Sequence, residues 1–193
     1  MIKVLICPGI HDPALTQGLL AALKSRFPPD SSLNNPENLL VFSASDSYLP
    51  LSALHILQFM QERLGSPTET SPVVFIGFSA GVVGAYGAAW GWQLMSGSVK
   101  ALIAVDGWGV PLFGNFPQHR LSHDFFTHWS SSMLGGGEDS FYADPAVPHL
   151  TLWRSPHTVT GWYIHPNQTT QPPRRMTAAQ FLIMLLNRYA ASD

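Results

Sequence analysis

The period of apolar and polar positions changes along the chain, and each change marks an element. Lys3 to Cys7 is a short apolar run closed by Pro8-Gly9, and Leu39 to Phe42, Val73 to Ile76 and Val99 to Val105 repeat that form. Runs of this length without alternation fit strands buried on both faces. Between them the period lengthens. Ala14 to Phe27 puts Leu15, Leu19, Leu20 and Leu23 on one stripe, and the segment after Pro50 carries Leu54, Leu57, Met60 and Leu64 at steps of three, three and four. Both predict helices with one apolar face. A further strand is expected over His149 to Trp153. A terminal helix is expected after Thr177-x-x-Gln180, a capping-box pattern, with Ala178, Phe181, Leu182, Leu185, Leu186 and Tyr189 inward.

This alternation predicts an α/β protein: a three-layer α/β/α sandwich around a mostly parallel sheet of about five to six strands. Two stretches break the rhythm. Trp108 to Pro148 shows no strong helical period and holds Trp108, Phe113, Phe116, Phe125, Phe126, Trp129, Phe141 and Tyr142. The expectation is one domain over 1–193 with a long aromatic-rich insertion at about 107–148. Pro156 to Arg175 is a second long connection. Both would leave the carboxyl ends of strands, where open α/β sheets place ligands.

Composition narrows the classes. The 193 residues carry 10 basic and 12 acidic side chains, a formal charge of −2, without the basic footprint of a nucleic-acid binder. With 46% hydrophobic and 11% charged residues the chain has the makings of an ordered core. The single cysteine, Cys7, excludes an intramolecular disulfide. The opening segment is too short for a signal peptide, and no run approaches the roughly 18 apolar residues of a membrane span. A cytoplasmic location with no membrane span is therefore expected. Asn167-Gln168-Thr169 matches a glycosylation sequon, which has force only on a secreted chain.

The chemistry centres on Gly77-Phe78-Ser79-Ala80-Gly81, which follows an apolar strand and precedes a small-residue segment containing Gly84, Gly87 and Gly91. Such a strand-to-helix turn exposes its serine at strained backbone angles and leaves no room for bulk at positions 77 and 81. The three later glycines each cost a helix about 1 kcal/mol relative to alanine, so close packing must account for them. On this motif and its setting the chain resembles the small α/β-hydrolase-fold serine hydrolases of minimal lipase or esterase type, over nearly all its length.

The resemblance implies a nucleophilic Ser79, acyl-transfer chemistry and no cofactor. It implies an oxyanion hole from the N–H of Ala80 and from the turn after the first strand, at Ile10 or His11. The order serine, acid, histidine makes Asp106, at the end of the next strand, the candidate acid, although capping the Asp106-Gly107 turn is an equally simple role. The commoner family position for the acid, around Ser155-Pro156-His157-Thr158, holds no carboxylate. His165, between the last strand and the last helix, stands where the family puts its base, and His157 is the alternative. His55 lies within a helix and reads as structural, while the loop histidines remain open.

His119, His123, Asp124 and His128 could in principle ligate zinc. On a helix His119 and His123 would share a face, but His128 would lie about 140° from His123. The intervening aromatics suit a packed cover, so no metal is expected. The leading expectation is a serine hydrolase acting on a small-molecule ester, thioester or amide with an apolar acyl group. The alternative is a non-catalytic protein on the same scaffold, binding a ligand or partner through the aromatic loop. That loop would equally suit a homodimer interface or burial under its own fold.

Overall fold

β1 (Lys3–Cys7) lies between β2 (Leu39–Val41) and β3 (Val73–Phe78), parallel to both. The computed structural model describes residues 1–43, 49–135, 137–165 and 174–191. β4 (Val99–Val105), β5 (Gln118–Ser122) and β6 (Asp139–Ala143) extend the parallel sheet beyond β3. β7 (Thr160–Ile164) then pairs antiparallel with β6, and β8 (Arg174–Thr177) antiparallel with β7. The sheet order is β2-β1-β3-β4-β5-β6-β7-β8.

Consecutive residues of β1 enter opposite cores, as expected of a strand covered on both faces. Val4 and Ile6 join one apolar cluster with Leu19 and Leu23 of α1 (Pro13–Lys24), Leu152 and Trp153 of α5 (His149–Arg154), and Phe181, Leu182 and Leu185 of α6 (Ala178–Ala191). Leu5 and Cys7 join the other, with Ile56 and Met60 of α2 (Ala53–Leu64) and Val82, Ala85 and Trp92 of α3 (Ala80–Leu94). The glycines of α3 are explained by this packing. A Cβ on Gly84 would stand 2.2 Å from the Pro50 carbonyl oxygen, and one on Gly91 would stand 2.6 Å from Leu57 Cδ1. The terminal helix is capped as its sequence predicts: Thr177 N–H donates to Gln180 Oε1 (2.8 Å) and Gln180 N–H to Thr177 Oγ1 (3.2 Å).

Three expectations need correction. The sheet has eight strands and is mixed, where five to six mostly parallel strands were expected. The stretch read as a long loop from Trp108 to Pro148 contains β5, α4 (Phe125–Ser132) and β6. All five residues of β5 are buried although its sequence is Gln-His-Arg-Leu-Ser, so it has no apolar signature. Its polar side chains find partners instead: Arg120 donates to the carbonyls of Val110, Leu134 and Gly135, and His119 Nε2 meets Tyr189 Oη at 2.6 Å. Finally, His149 to Trp153 is helix, not strand. Its buried residues Leu152 and Trp153 are adjacent, whereas a half-buried strand would alternate.

Among the described residues no helix is long and apolar enough to cross a membrane. The Asn167-Gln168-Thr169 sequence lies outside the described residues.

Candidate active site

β3 passes into α3 through Ser79, whose backbone sits at φ 52° and ψ −121°. Positive φ is costly for a residue with a Cβ and persists only where surrounding structure enforces it. Here Ser79 N–H donates to the Val105 carbonyl (2.9 Å) and the flanking chains leave no slack. A Cβ on Gly77 would come within 2.8 Å of Val82 Cα, and one on Gly81 within 2.3 Å of the Cys7 carbonyl oxygen. The turn therefore requires glycine on both sides of the serine. The loop after β1 closes over it, because a Cβ on Gly9 would lie 3.1 Å from Ser79 Cβ. Ala80, Ile10 and His11 thus sit on the two chains that meet at Ser79, and among the described residues their amides have no backbone acceptor.

Asp106 follows β4 at φ 50°, with its side chain only 1% exposed. Its carboxylate receives three donors. His149 Nδ1 lies 2.8 Å from Oδ2, His123 Nδ1 lies 3.0 Å from the same oxygen, and His123 N–H donates to Oδ1 at 2.8 Å. A carboxylate accepts only, so each imidazole presents Nδ1–H to it and, when neutral, carries its lone pair on Nε2. His149 is the first residue of α5, and its ring stacks on Phe78 with centroids 4.6 Å apart. Trp153, one turn later, stacks on the same Phe78 (4.7 Å) and is fixed to α1 by Nε1–H to Thr16 Oγ1 (3.1 Å). The residue preceding Ser79 is therefore the platform that sets the His149 ring beside the serine turn.

Ser79, Ala80, Asp106, His123 and His149 line one pocket of about 500 Å³ together with Val83, Trp108, Val110, Asp124, Phe126 and Thr127. Asp124 caps α4 by accepting Thr127 N–H (2.7 Å), and Trp108 Nε1–H donates to Ser130 Oγ (3.1 Å). These bonds hold the apolar wall in place. Trp108 and Phe126 remain more than half exposed at its rim.

His165 and His157, the bases expected from the sequence, do not line this pocket. His165 Nδ1 lies 3.1 Å from Asp139 Oδ1, close but not directed as a hydrogen bond. His157 is exposed in the turn after α5. His11 packs its ring edge-on against Phe78 and bonds its own loop through Nδ1 to the Asp12 carbonyl (2.9 Å). The histidine that the sequence reading missed is His149, hidden by the strand reading of its segment. Its signal was a proline followed by His149 and Trp153 at helical spacing.

The histidines of the 119–128 segment diverge. His119 is buried on β5, His123 reaches Asp106, and His128 on α4 is tilted against Tyr142. The three donor groups that do converge are Asp106, His123 and His149, whose potential ligand atoms lie within 4.8 Å of one another. Both Nδ1 atoms already donate to the carboxylate, so a cation held there would first have to displace two protons. No protein-family model matches the chain, and no curated protein matches it.

Proposed function

We propose that the protein is a serine hydrolase of the α/β-hydrolase type, acting on an ester, thioester or amide with an apolar acyl group. The supporting observation is the convergence of a positive-φ serine and a carboxylate-anchored imidazole, that of His149, in one apolar-walled pocket. Ser79 Oγ attacks the carbonyl carbon while His149 Nε2 takes its proton. Asp106 keeps the Nδ1–H tautomer and stabilises the imidazolium that forms. The amide of Ala80, with that of Ile10 or His11, receives the oxyanion, a contribution of about 3 kcal/mol per donor to the transition state. The tetrahedral adduct collapses, His149 returns the proton to the departing alcohol, thiol or amine, and an acyl ester remains on Ser79. Water then enters with His149 as base, releases the acid and regenerates the serine.

His149 acts as base ahead of His123 because its ring lies on Phe78, next to Ser79, whereas His123 Nε2 points toward Asp124 Oδ2 at 3.6 Å. The apolar acyl group would lie along Val83, Val110 and Phe126. A fluorophosphonate probe should label the wild type and fail to label Ser79→Ala, and p-nitrophenyl esters should be turned over faster as the acyl chain grows. A folded wild type that several serine-reactive probe classes leave unlabelled would rule out the hydrolase reading.

A further inference from the structure

One histidine suffices to pair a base with its acid, yet Asp106 holds two. His123 grips the carboxylate at both oxygens, by its backbone N–H at Oδ1 (2.8 Å) and its ring at Oδ2 (3.0 Å). It directly follows β5, and its carbonyl accepts Val147 N–H (3.0 Å) just ahead of α5, so it also fixes the chain that delivers His149. The two imidazoles stand edge-to-face with centroids 5.8 Å apart. They share Oδ2 as a common acceptor.

We infer that His123 is a positioning residue that holds Asp106 and shares its carboxylate oxygen with His149. The inference rests on the serine-hydrolase reading for its catalytic consequence but not for the positioning itself. The charged and titratable groups facing His123 are Asp106 at the end of β4, Asp124 at the start of α4 and His149 at the start of α5. The Asp106 hydrogen bond, only partly opposed by burial, raises the affinity of His123 for its second proton, and the charges of Asp106 and Asp124 add to this. His123 therefore stands between two carboxylates that favour its charged form.

The test uses His123→Asn, whose side-chain amide can stand in for Nδ1–H without titrating, and His123→Ala, which removes the donor. Both keep the backbone N–H on Oδ1. On a p-nitrophenyl ester kcat should fall about threefold in the asparagine variant and about tenfold in the alanine variant, with KM within about twofold. Histidine-labelled NMR gives a readout free of turnover: the Nδ1–H signal of the His149 ring should be kept in His123→Asn and broadened in His123→Ala. An unmoved kcat and an unmoved His149 signal in both folded variants would overturn the inference and leave His123 a packing residue. Complete loss of turnover in His123→Asn with turnover kept in His149→Asn would also overturn it, making His123 the base. If Ser79 proves unreactive yet the NMR change appears, the positioning stands and the hydrolase reading alone fails.

Discussion

Asp106, just after β4, and Asp139, at the start of β6, are two buried carboxylates, each close to two imidazoles, and their surroundings differ. Asp139 is fully buried. It accepts Tyr163 Oη–H at 2.6 Å and a guanidinium N–H of Arg188, and lies 3.4 Å from His119 and 3.1 Å from His165. Burial alone would push its carboxyl up. The bonds from Tyr163 and Arg188, with the nearby His119 and Arg188 charges, outweigh burial and hold it below the ordinary carboxylate range. Asp106 has neither an arginine nor a tyrosine among its described partners; its donors are two imidazoles and one amide, and it opens onto a pocket. A fixed cation locks a carboxylate into the fold, whereas imidazole partners beside a cavity leave it able to support proton transfer. Register separates the two as well. Ile103, His119 and Asp139 form one row across β4, β5 and β6, three residues short of Asp106 and so about 10 Å from the carboxyl end that holds the pocket.

The sharpest way to break this comparison is to neutralise each carboxylate in turn. Asp106→Asn should lower kcat by about 10³–10⁴-fold on an active ester, because the amide no longer enforces the Nδ1–H tautomer of His149. Asp139→Asn should instead cost about 3 kcal/mol of stability by removing the buried charge to which Arg188 and Tyr163 donate, a loss moderated by the partial exposure of the guanidinium. Its turnover per folded molecule should stay within about threefold of wild type. Urea unfolding with steady-state rates measures both, and equal losses of turnover in the two folded variants would erase the distinction.

A smaller effect tests the pH sign of the Asp139 cluster. Burial pushes His119 down to about 4 from an ordinary 6.5, the Asp139 charge only partly opposing it, so the folded protein holds this imidazole neutral. The unfolded chain takes up the proton first. The contribution of a neutral His119 is thus fully present above the unfolded value near 6.5 and is lost as pH falls from there toward 4. Stability should drop by about 1–3 kcal/mol across that window. His119→Gln should flatten the drop when urea midpoints are compared at pH 7 and pH 4.5. An equally steep slope in the variant would assign the titration to another group.

How far the sequence foretold this arrangement depends on where polarity and periodicity agree. β1, β3, β4 and the Ser79 turn are apolar, short and closed by glycine or aspartate, so they were legible. Asp106 was legible as the residue ending the strand beside the serine. β5 and β6 were not, because Gln118, His119, Arg120, Asp139 and Ser140 are buried by pairing rather than by hydrophobicity. Missing them concealed how many strands separate Asp106 from the last connection. It also concealed that β7 runs backwards, which carries His165 away from the pocket. A histidine after a parallel strand would emerge at the carboxyl edge beside Ser79. After the antiparallel β7, where Ile164 pairs with Ser140, the next step brings His165 level with Asp139.

That reversal yields the mildest prediction and the most discriminating control. His165 approaches the locked carboxylate and stacks on Tyr163: its side chain is about one quarter exposed, and its Nδ1 nears Asp139 without a directed hydrogen bond. Asp139 keeps Tyr163 and Arg188 when His165 is removed. His165→Ala should therefore cost no more than about 1 kcal/mol of stability, in line with a contact that lacks a directed hydrogen bond, and should change kcat/KM less than about threefold. His149→Ala on the same ester should abolish turnover to within the residual left by the oxyanion donors and binding, some 10³-fold or more below wild type. The pair is informative because both residues follow Ser79 and Asp106 in the chain, and each meets a different one of the two carboxylates. Large loss in His165→Ala with turnover retained in His149→Ala would mean that the catalytic base reaches Ser79 from the Asp139 side, and the division between the two carboxylates would have to be reversed.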